Sequence, residues 1–329
     1  VWQIYALIFA INAVTAFFTP TFEAGIPEVT GSEQYVQALS YSRVAVDVEA
    51  VAGPAVAGLL VALLGLRWVF WFDAFTYLVS ALFVAAAVIP RVTKEAPPLS
   101  WRAFLDEITY GSRVLLREPA LRQALTLSFA EATAGAAAIV VTVVYVRDAL
   151  GHGETAFAMV MAGLGLGSTL AAIMLGRATG RYEQGAETRA VLHGRRHSWT
   201  ARALLFGGLT LGLLLLPGVF APPLFVFGLL WILNGAGQAL IAISSSTLLA
   251  EHTVAEERGR AYAAHFALTH ACWFITYPAI GHAAAKWGAP LTFTAAGIVC
   301  LLITVVAKVF GQGLPRAHTH TRDGEPAAG

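Results

Sequence analysis

The chain has 329 residues, of which 57% are hydrophobic and only 12% are charged. Ordinary soluble domains carry roughly 25% charged residues, so the composition argues against a soluble protein and indicates helices that cross a membrane several times. The formal net charge is +1, which offers no basic surface to nucleic acid and excludes that class of partner.

Apolar stretches follow one another along the chain, and each is long enough to cross a hydrocarbon core roughly 30 Å thick. Turn residues such as Pro20, Gly65 and Gly151 separate them. The sequence therefore predicts nine membrane-spanning helices in an all-α polytopic protein. They lie at residues 1–19, 36–64, 67–89, 121–146, 155–178, 201–218, 222–250, 259–286 and 289–311.

The segment from Trp101 to Arg117, between the third and fourth predicted spans, has apolar residues at helical spacing among charged ones. This pattern is typical of an amphipathic helix that lies along the membrane surface. It divides the chain into a first part, a linker with the amphipathic helix, a second part and a tail. These are residues 1–90, 91–120, 121–311 and 312–329.

The basic residues predict the orientation of the chain in the membrane. One set of loops carries 17 Lys and Arg residues and the alternate loops carry 3, leaving out Arg43 at the edge of a span. Because Lys and Arg are enriched in cytoplasmic loops, the set with 17 is predicted to be cytoplasmic. We therefore expect a multi-pass protein of the plasma (inner) membrane with a cytoplasmic C-terminus.

Several motifs of the first part resemble those of a known family. They are Phe17-Phe18-Thr19-Pro20, Pro27-Glu28, Gly53-Pro54-Ala55-Val56-Ala57-Gly58-Leu59-Leu60 and Phe72-Asp73-Ala74-Phe75-Thr76-Tyr77-Leu78-Val79-Ser80-Ala81-Leu82. In these motifs the chain resembles the major facilitator superfamily, and within it the branch of enterobactin exporters and macrolide-efflux proteins, at that family's helices four to six. The resemblance implies a major facilitator fold with nine of twelve transmembrane helices present, helices four to twelve.

A weak internal repeat agrees with this resemblance. Pro54 and Pro278 lie in similar surroundings and are 224 residues apart. If the two halves are parallel repeats, roughly a hundred residues, enough for three helices, would precede Val1. We therefore expect the chain to lack the first three helices of a twelve-helix protein.

The resemblance also implies a function. It implies a secondary active transporter, a proton-coupled antiporter that exports a small molecule by alternating access between two six-helix halves. No enzyme activity and no cofactor are implied, and the expected partners of this monomer are the lipid bilayer, protons and the substrate. Two alternatives remain open, which are an exporter of divalent transition metals such as nickel or cobalt and a non-transporting membrane receptor or scaffold.

Three carboxylates inside the predicted spans are candidates for proton coupling. Asp47 and Glu49 lie near the middle of the second span, and Glu131 lies in the first half of the fourth with no basic residue three or four positions away. An ionisable side chain at the bilayer centre costs about 2.5 to 3.5 kcal/mol, so each requires an explanation. Arg43 precedes Asp47 by one helical turn, which also permits a structural ion pair.

Polar residues of the seventh span lie on one face of a helix. Asn234, Gln238 and Ser245 share this face, which predicts either a substrate path or a helix contact. His270 of the next span is a further candidate for the substrate path.

A metal site has weaker support. His265 and His270 are five residues apart with no acid between them, and His318 and His320 lie in the tail. Such spacings give low-specificity metal ligands, and neutral histidines hydrogen-bonded between helices are the alternative.

Overall fold

A computed structural model describes residues 2–86, 101–184 and 189–311 of the chain. These residues form nine long helices and, within the same ranges, no β-strand. The helices are α1 (Trp2–Leu64), α2 (Leu66–Ala86), α3 (Trp101–Arg117), α4 (Pro119–Ala149, with π-helical turns at Ala137–Val141 and Tyr145–Ala149), α5 (Glu154–Gln184), α6 (Arg189–Leu215), α7 (Leu224–His252), α8 (Ala255–Trp287) and α9 (Ala289–Gly311).

Helix α1 is interrupted at Gly31, which has φ 71° and ψ 167° and so divides it into residues 2–30 and 32–64. The sequence instead predicted a break at Pro20, and that prediction is wrong. Proline has a φ angle compatible with a helix, whereas a positive φ is adopted without strain only by glycine. The chain therefore passes through Pro20 as a helix and changes direction at Gly31.

Six helices of the described ranges are long and apolar enough to cross a membrane. They lie at Arg67–Ala86, Pro119–Ala149, Glu154–Arg177, Trp199–Phe220, Leu224–His252 and Ala289–Gly311. These six correspond to six of the predicted spans. The residues predicted to span at 1–19, 36–64 and 259–286 are helical as well, but their helices do not meet the same criterion, so the count of nine is not confirmed.

The main hydrophobic core lies among the helices of the second part. Helix α5 packs along α7, and the two backbones approach closely. A Cβ atom added at Gly235 of α7 would lie 1.8 Å from the carbonyl oxygen of Leu164 in α5. Only glycine fits at this contact, because any side chain would push the two helices apart.

The amphipathic segment is a helix, α3, and it packs against the beginning of α8. A Cβ atom at Gly111 would lie 2.2 Å from the carbonyl oxygen of Arg260. The neighbouring Tyr110 donates a hydrogen bond to the carboxylate of Glu257, and the Arg260 guanidinium lies 3.9 Å from the centre of the Tyr110 ring. We call the end of the helix bundle that carries α3 and the turn between α7 and α8 the connector end.

Candidate functional site

A cluster of polar side chains joins the second segment of α1 to α5. Arg43 Nε lies 3.4 Å from Asp47 Oδ1 and donates a hydrogen bond of 2.9 Å to Ser168 Oγ. Thr169 Oγ1 donates to Asp47 Oδ2 over 3.4 Å. Asp47 is only 6% exposed, so its carboxylate depends on these neighbours rather than on water.

Glu131 of α4 is half-buried and belongs to the same region. Along its own helix it has no basic neighbour, as the sequence indicates, but Arg43 of α1 acts on it electrostatically. Sequence spacing does not reveal a partner on another helix. Arg43 therefore has carboxylates on two helices, Asp47 on α1 and Glu131 on α4. We call Arg43, Asp47, Glu131, Ser168 and Thr169 the polar cluster.

The third candidate carboxylate, Glu49, is exposed. Two residues along an α-helix correspond to a rotation of about 200°, so Glu49 lies on the face opposite Asp47. Of the three carboxylates, Glu49 is the one turned away from the polar cluster.

The polar face of α7 is buried inside the protein. Asn234, Gln238 and Ser245 are all buried, and Gln238 Nε2 donates to Asn234 Oδ1 over 2.9 Å. Asn234 Nδ2 and Ser245 Oγ are buried without a hydrogen-bond partner among the described residues. This face therefore lies toward protein rather than lipid, which agrees with both a substrate path and a helix contact.

The two candidate histidines of α8 differ in environment. His270 is exposed, and its Nδ1 lies 2.8 Å from the carbonyl oxygen of Phe266. His265 is half-buried, and its Nε2 has no hydrogen-bond partner within the described ranges. In these ranges, no three His, Cys, Asp or Glu side chains come together in a group that holds a metal ion. His318 and His320 lie outside the described residues.

A second contact between the two parts of the chain was missed by the sequence analysis. The hydroxyl groups of Tyr35 in α1 and Tyr262 in α8 contact each other, and both lie near the carbonyl oxygen of Ser246 in α7. The two tyrosines are 227 positions apart, and neither belongs to a motif. Helical periodicity carries no signal for such a contact.

Six helices long and apolar enough to cross a membrane, connected by buried polar contacts, place the described part of the chain in the class of polytopic helical membrane proteins. The profile of the Major Facilitator Superfamily matches residues 1–192 and again residues 132–328, so the chain belongs to this superfamily. The protein is accordingly a multi-pass secondary transporter. The narrower branch and the absence of the first three helices stay predictions.

One relative in Bacillus subtilis (strain 168) is described as the uncharacterized MFS-type transporter YfiS. It is 24% identical over 335 residues, which cover 100% of this chain and 76% of that protein. The similarity extends over both parts of the chain and the linker between them.

Proposed function

We propose that the protein exports a small molecule in exchange for protons, by alternating access between its first and second parts. The observation that supports this most is the polar cluster, in which Arg43 of the first part lies 3.4 Å from Asp47 of its own helix and acts electrostatically on Glu131 of the second part. Ionisable groups inside a membrane protein are costly, and in transporters they mark proton and substrate pathways.

Glu131 is the proton site in this proposal. Ionised Glu131 attracts Arg43, whereas protonated Glu131 carries no charge and loses that attraction. Binding and release of a proton therefore change the electrostatic attraction between the two parts. Arg43 and Asp47 form the structural pair of α1, and their hydrogen bonds with Ser168 and Thr169 keep α1 in place beside α5.

The substrate path follows the buried polar face of α7 in this proposal, with Asn234, Gln238 and Ser245 as its lining. The buried donor of Asn234 Nδ2 has no hydrogen-bond partner within the described ranges, which leaves it available to an acceptor group of a substrate. His270 is retained as a candidate at the margin of this path.

The proton-coupling proposal is tested with the whole chain in lipid vesicles under an imposed pH gradient. A macrolide is the first test substrate, because the chain resembles macrolide-efflux proteins. Glu131→Gln is expected to keep substrate binding and to lose the dependence of export on the pH gradient, since glutamine preserves shape but does not ionise. Asp47→Asn is expected to lower expression and stability, because it leaves Arg43 without its partner.

Glu49→Gln is the matched control, because Glu49 is exposed and lies on the opposite face of α1. It is expected to leave pH-driven export unchanged. The two assignments would be reversed if Glu131→Gln kept normal pH-driven export while Asp47→Asn folded well and abolished it.

The proposed orientation has its own test. A reporter inserted at Gly151 is expected to be active outside the cell, and one fused after Gly313 only in the cytoplasm, because of the distribution of 17 and 3 basic residues. Activity on the opposite sides at both positions would refute the cytoplasmic C-terminus.

A further inference from the structure

Three groups meet between the two parts of the chain at the connector end. Tyr35 belongs to the second segment of α1, Ser246 to the end of α7 and Tyr262 to the beginning of α8. The two tyrosines are 1% and 0% exposed. Their hydroxyl groups contact each other, and the Ser246 carbonyl oxygen lies 3.1 Å from the hydroxyl of Tyr35 and 3.0 Å from that of Tyr262. We call these three groups the tyrosine clasp.

The tyrosine clasp has fewer donor protons than hydrogen-bonding contacts. Each phenol hydroxyl donates one proton, so two protons serve three contacts. One tyrosine donates to the Ser246 carbonyl, and the other donates to the first tyrosine. Tyr262 and Ser246 both belong to the second part, so only the Tyr35 hydroxyl forms hydrogen bonds between the two parts. Loss of the Tyr262 hydroxyl leaves the bond from Tyr35 to Ser246, whereas loss of the Tyr35 hydroxyl leaves no bond of the clasp between the parts.

The surroundings of the tyrosine clasp exclude water. Val36 and Leu39 of α1 pack with Ala172 and Leu175 of α5 and with Ile243 of α7 in an apolar cluster that is separate from the main core. Two charged groups, Glu23 and Arg258, act electrostatically on both tyrosines. A substrate moving between the parts at this end would have to separate this cluster and the tyrosine clasp together.

We propose that the tyrosine clasp is the lock that holds the connector end closed, and that the Tyr35 hydroxyl is its essential group while the Tyr262 hydroxyl is a second partner for it. This inference rests on the proposed alternating access and assigns residues to one of its closed states. The lock is distinct from the polar cluster, because none of its three groups belongs to that cluster and it does not depend on proton binding at Glu131.

The test measures opening of the connector end without any substrate or pH gradient. The reporter is Val36→Cys, a buried position one residue from Tyr35, in the whole chain with Cys272→Ala and Cys300→Ala. The rate of its reaction with a water-soluble maleimide reports how often the cluster opens. Tyr35→Phe is expected to raise this rate on the order of tenfold, Tyr262→Phe less than about threefold, and the double variant no more than Tyr35→Phe alone.

Tyr145→Phe is the matched control. Tyr145 is also fully buried and donates a hydrogen bond of 2.6 Å to the Gly218 carbonyl, but its ring packs with Phe227 and Phe293, which do not belong to the apolar cluster of Val36. It is expected to leave the labelling rate of Val36→Cys unchanged. A larger increase in Tyr262→Phe than in Tyr35→Phe, or no increase in a folded Tyr35→Phe variant, would overturn the lock.

A second variant opens the same end without altering a tyrosine. A Cβ atom at Gly176 would lie 3.0 Å from both Cβ and Oγ of Ser40, so Gly176→Leu is expected to force α5 away from α1 and to raise labelling of Val36→Cys. Gly228→Leu is its control, because nothing lies within 4 Å of a Cβ atom at Gly228. Normal labelling in the Gly176 variant would show that this end does not open there.

The outcome is separable from that of the proposed function. Faster labelling in the Tyr35→Phe variant together with export that ignores the pH gradient would support the lock and refute proton coupling. Normal proton-coupled export together with unchanged labelling in the double variant would refute the lock alone.

Discussion

Helices α2 and α4 have similar mean hydropathy and both are long enough to cross a membrane, yet their burial is opposite. None of the most apolar window of α2 is buried within the protein, whereas 67% of the corresponding window of α4 is buried. Mean hydropathy therefore identifies a helix that is apolar enough to be buried away from water. It does not indicate whether lipid or protein surrounds that helix. The small residues of α4 and its neighbours indicate protein contacts, and the large aromatic residues around α2 do not.

The largest effect is expected where helices of the second part touch backbone to backbone. Gly235→Ala places a Cβ atom at a point 1.8 Å from the Leu164 carbonyl oxygen, so α5 and α7 must separate. We expect the free energy of unfolding to fall by about 3 kcal/mol, at the upper end of overpacking effects. Thermal unfolding in detergent micelles measures this change.

Gly228→Ala on the same helix is the control for that prediction. Nothing lies within 4 Å of its added Cβ atom, and alanine lowers the entropy of the unfolded chain. Its expected effect is therefore neutral or slightly stabilising, by about 0.5 kcal/mol. Similar losses of stability in both variants would show that helix propensity, and not close packing, controls these positions.

An intermediate effect is expected at the contact between α3 and α8. The hydrogen bond to Glu257 raises the pKa of Tyr110 from its usual value of 10.0. A raised pKa means that the fold favours the neutral phenol, so the stabilisation is fully present below pH 10 and is lost as the pH rises through the higher folded value. Tyr110→Phe is expected to remove this alkaline loss, whereas the unmodified chain shows it in unfolding measured from pH 8 to about pH 12.

If Tyr110→Phe kept the same alkaline loss as the unmodified chain, the Tyr110–Glu257 bond would not be its source.

The sequence predicted those features that depend on neighbours within one helical turn. The amphipathic pattern of Trp101–Arg117 gave α3, and the spacing of Arg43 and Asp47 fits the observed 3.4 Å between their charged atoms. The contact of Arg43 with Ser168 joins residues 125 positions apart. Such contacts depend on how whole helices pack, and no local periodicity encodes them. The position of the break in α1 was missed for a different reason, since the helix continues through Pro20 and breaks at Gly31, whose positive φ glycine adopts without strain.

The smallest effect is expected on α2, where the comparison with the second part is sharpest. Phe75 is 60% exposed, whereas Phe227 of α7 is 1% exposed and lies in a group of aromatic rings with Tyr145 and Trp231. Phe227→Ala is the reference variant: it removes a ring that other rings surround and leaves a cavity, which costs about 3 kcal/mol, at the lower end of such losses. Phe75→Ala removes a ring that makes few contacts within the chain, so the free energy of unfolding in detergent is expected to change by less than about 0.5 kcal/mol.

The stabilities of both variants are measured by thermal unfolding of the whole chain at one detergent concentration. A loss of about 2 kcal/mol or more in the Phe75 variant would show that α2 is packed against protein in the micelle. The two parts would then differ in which residues pack against them, and not in whether they are buried.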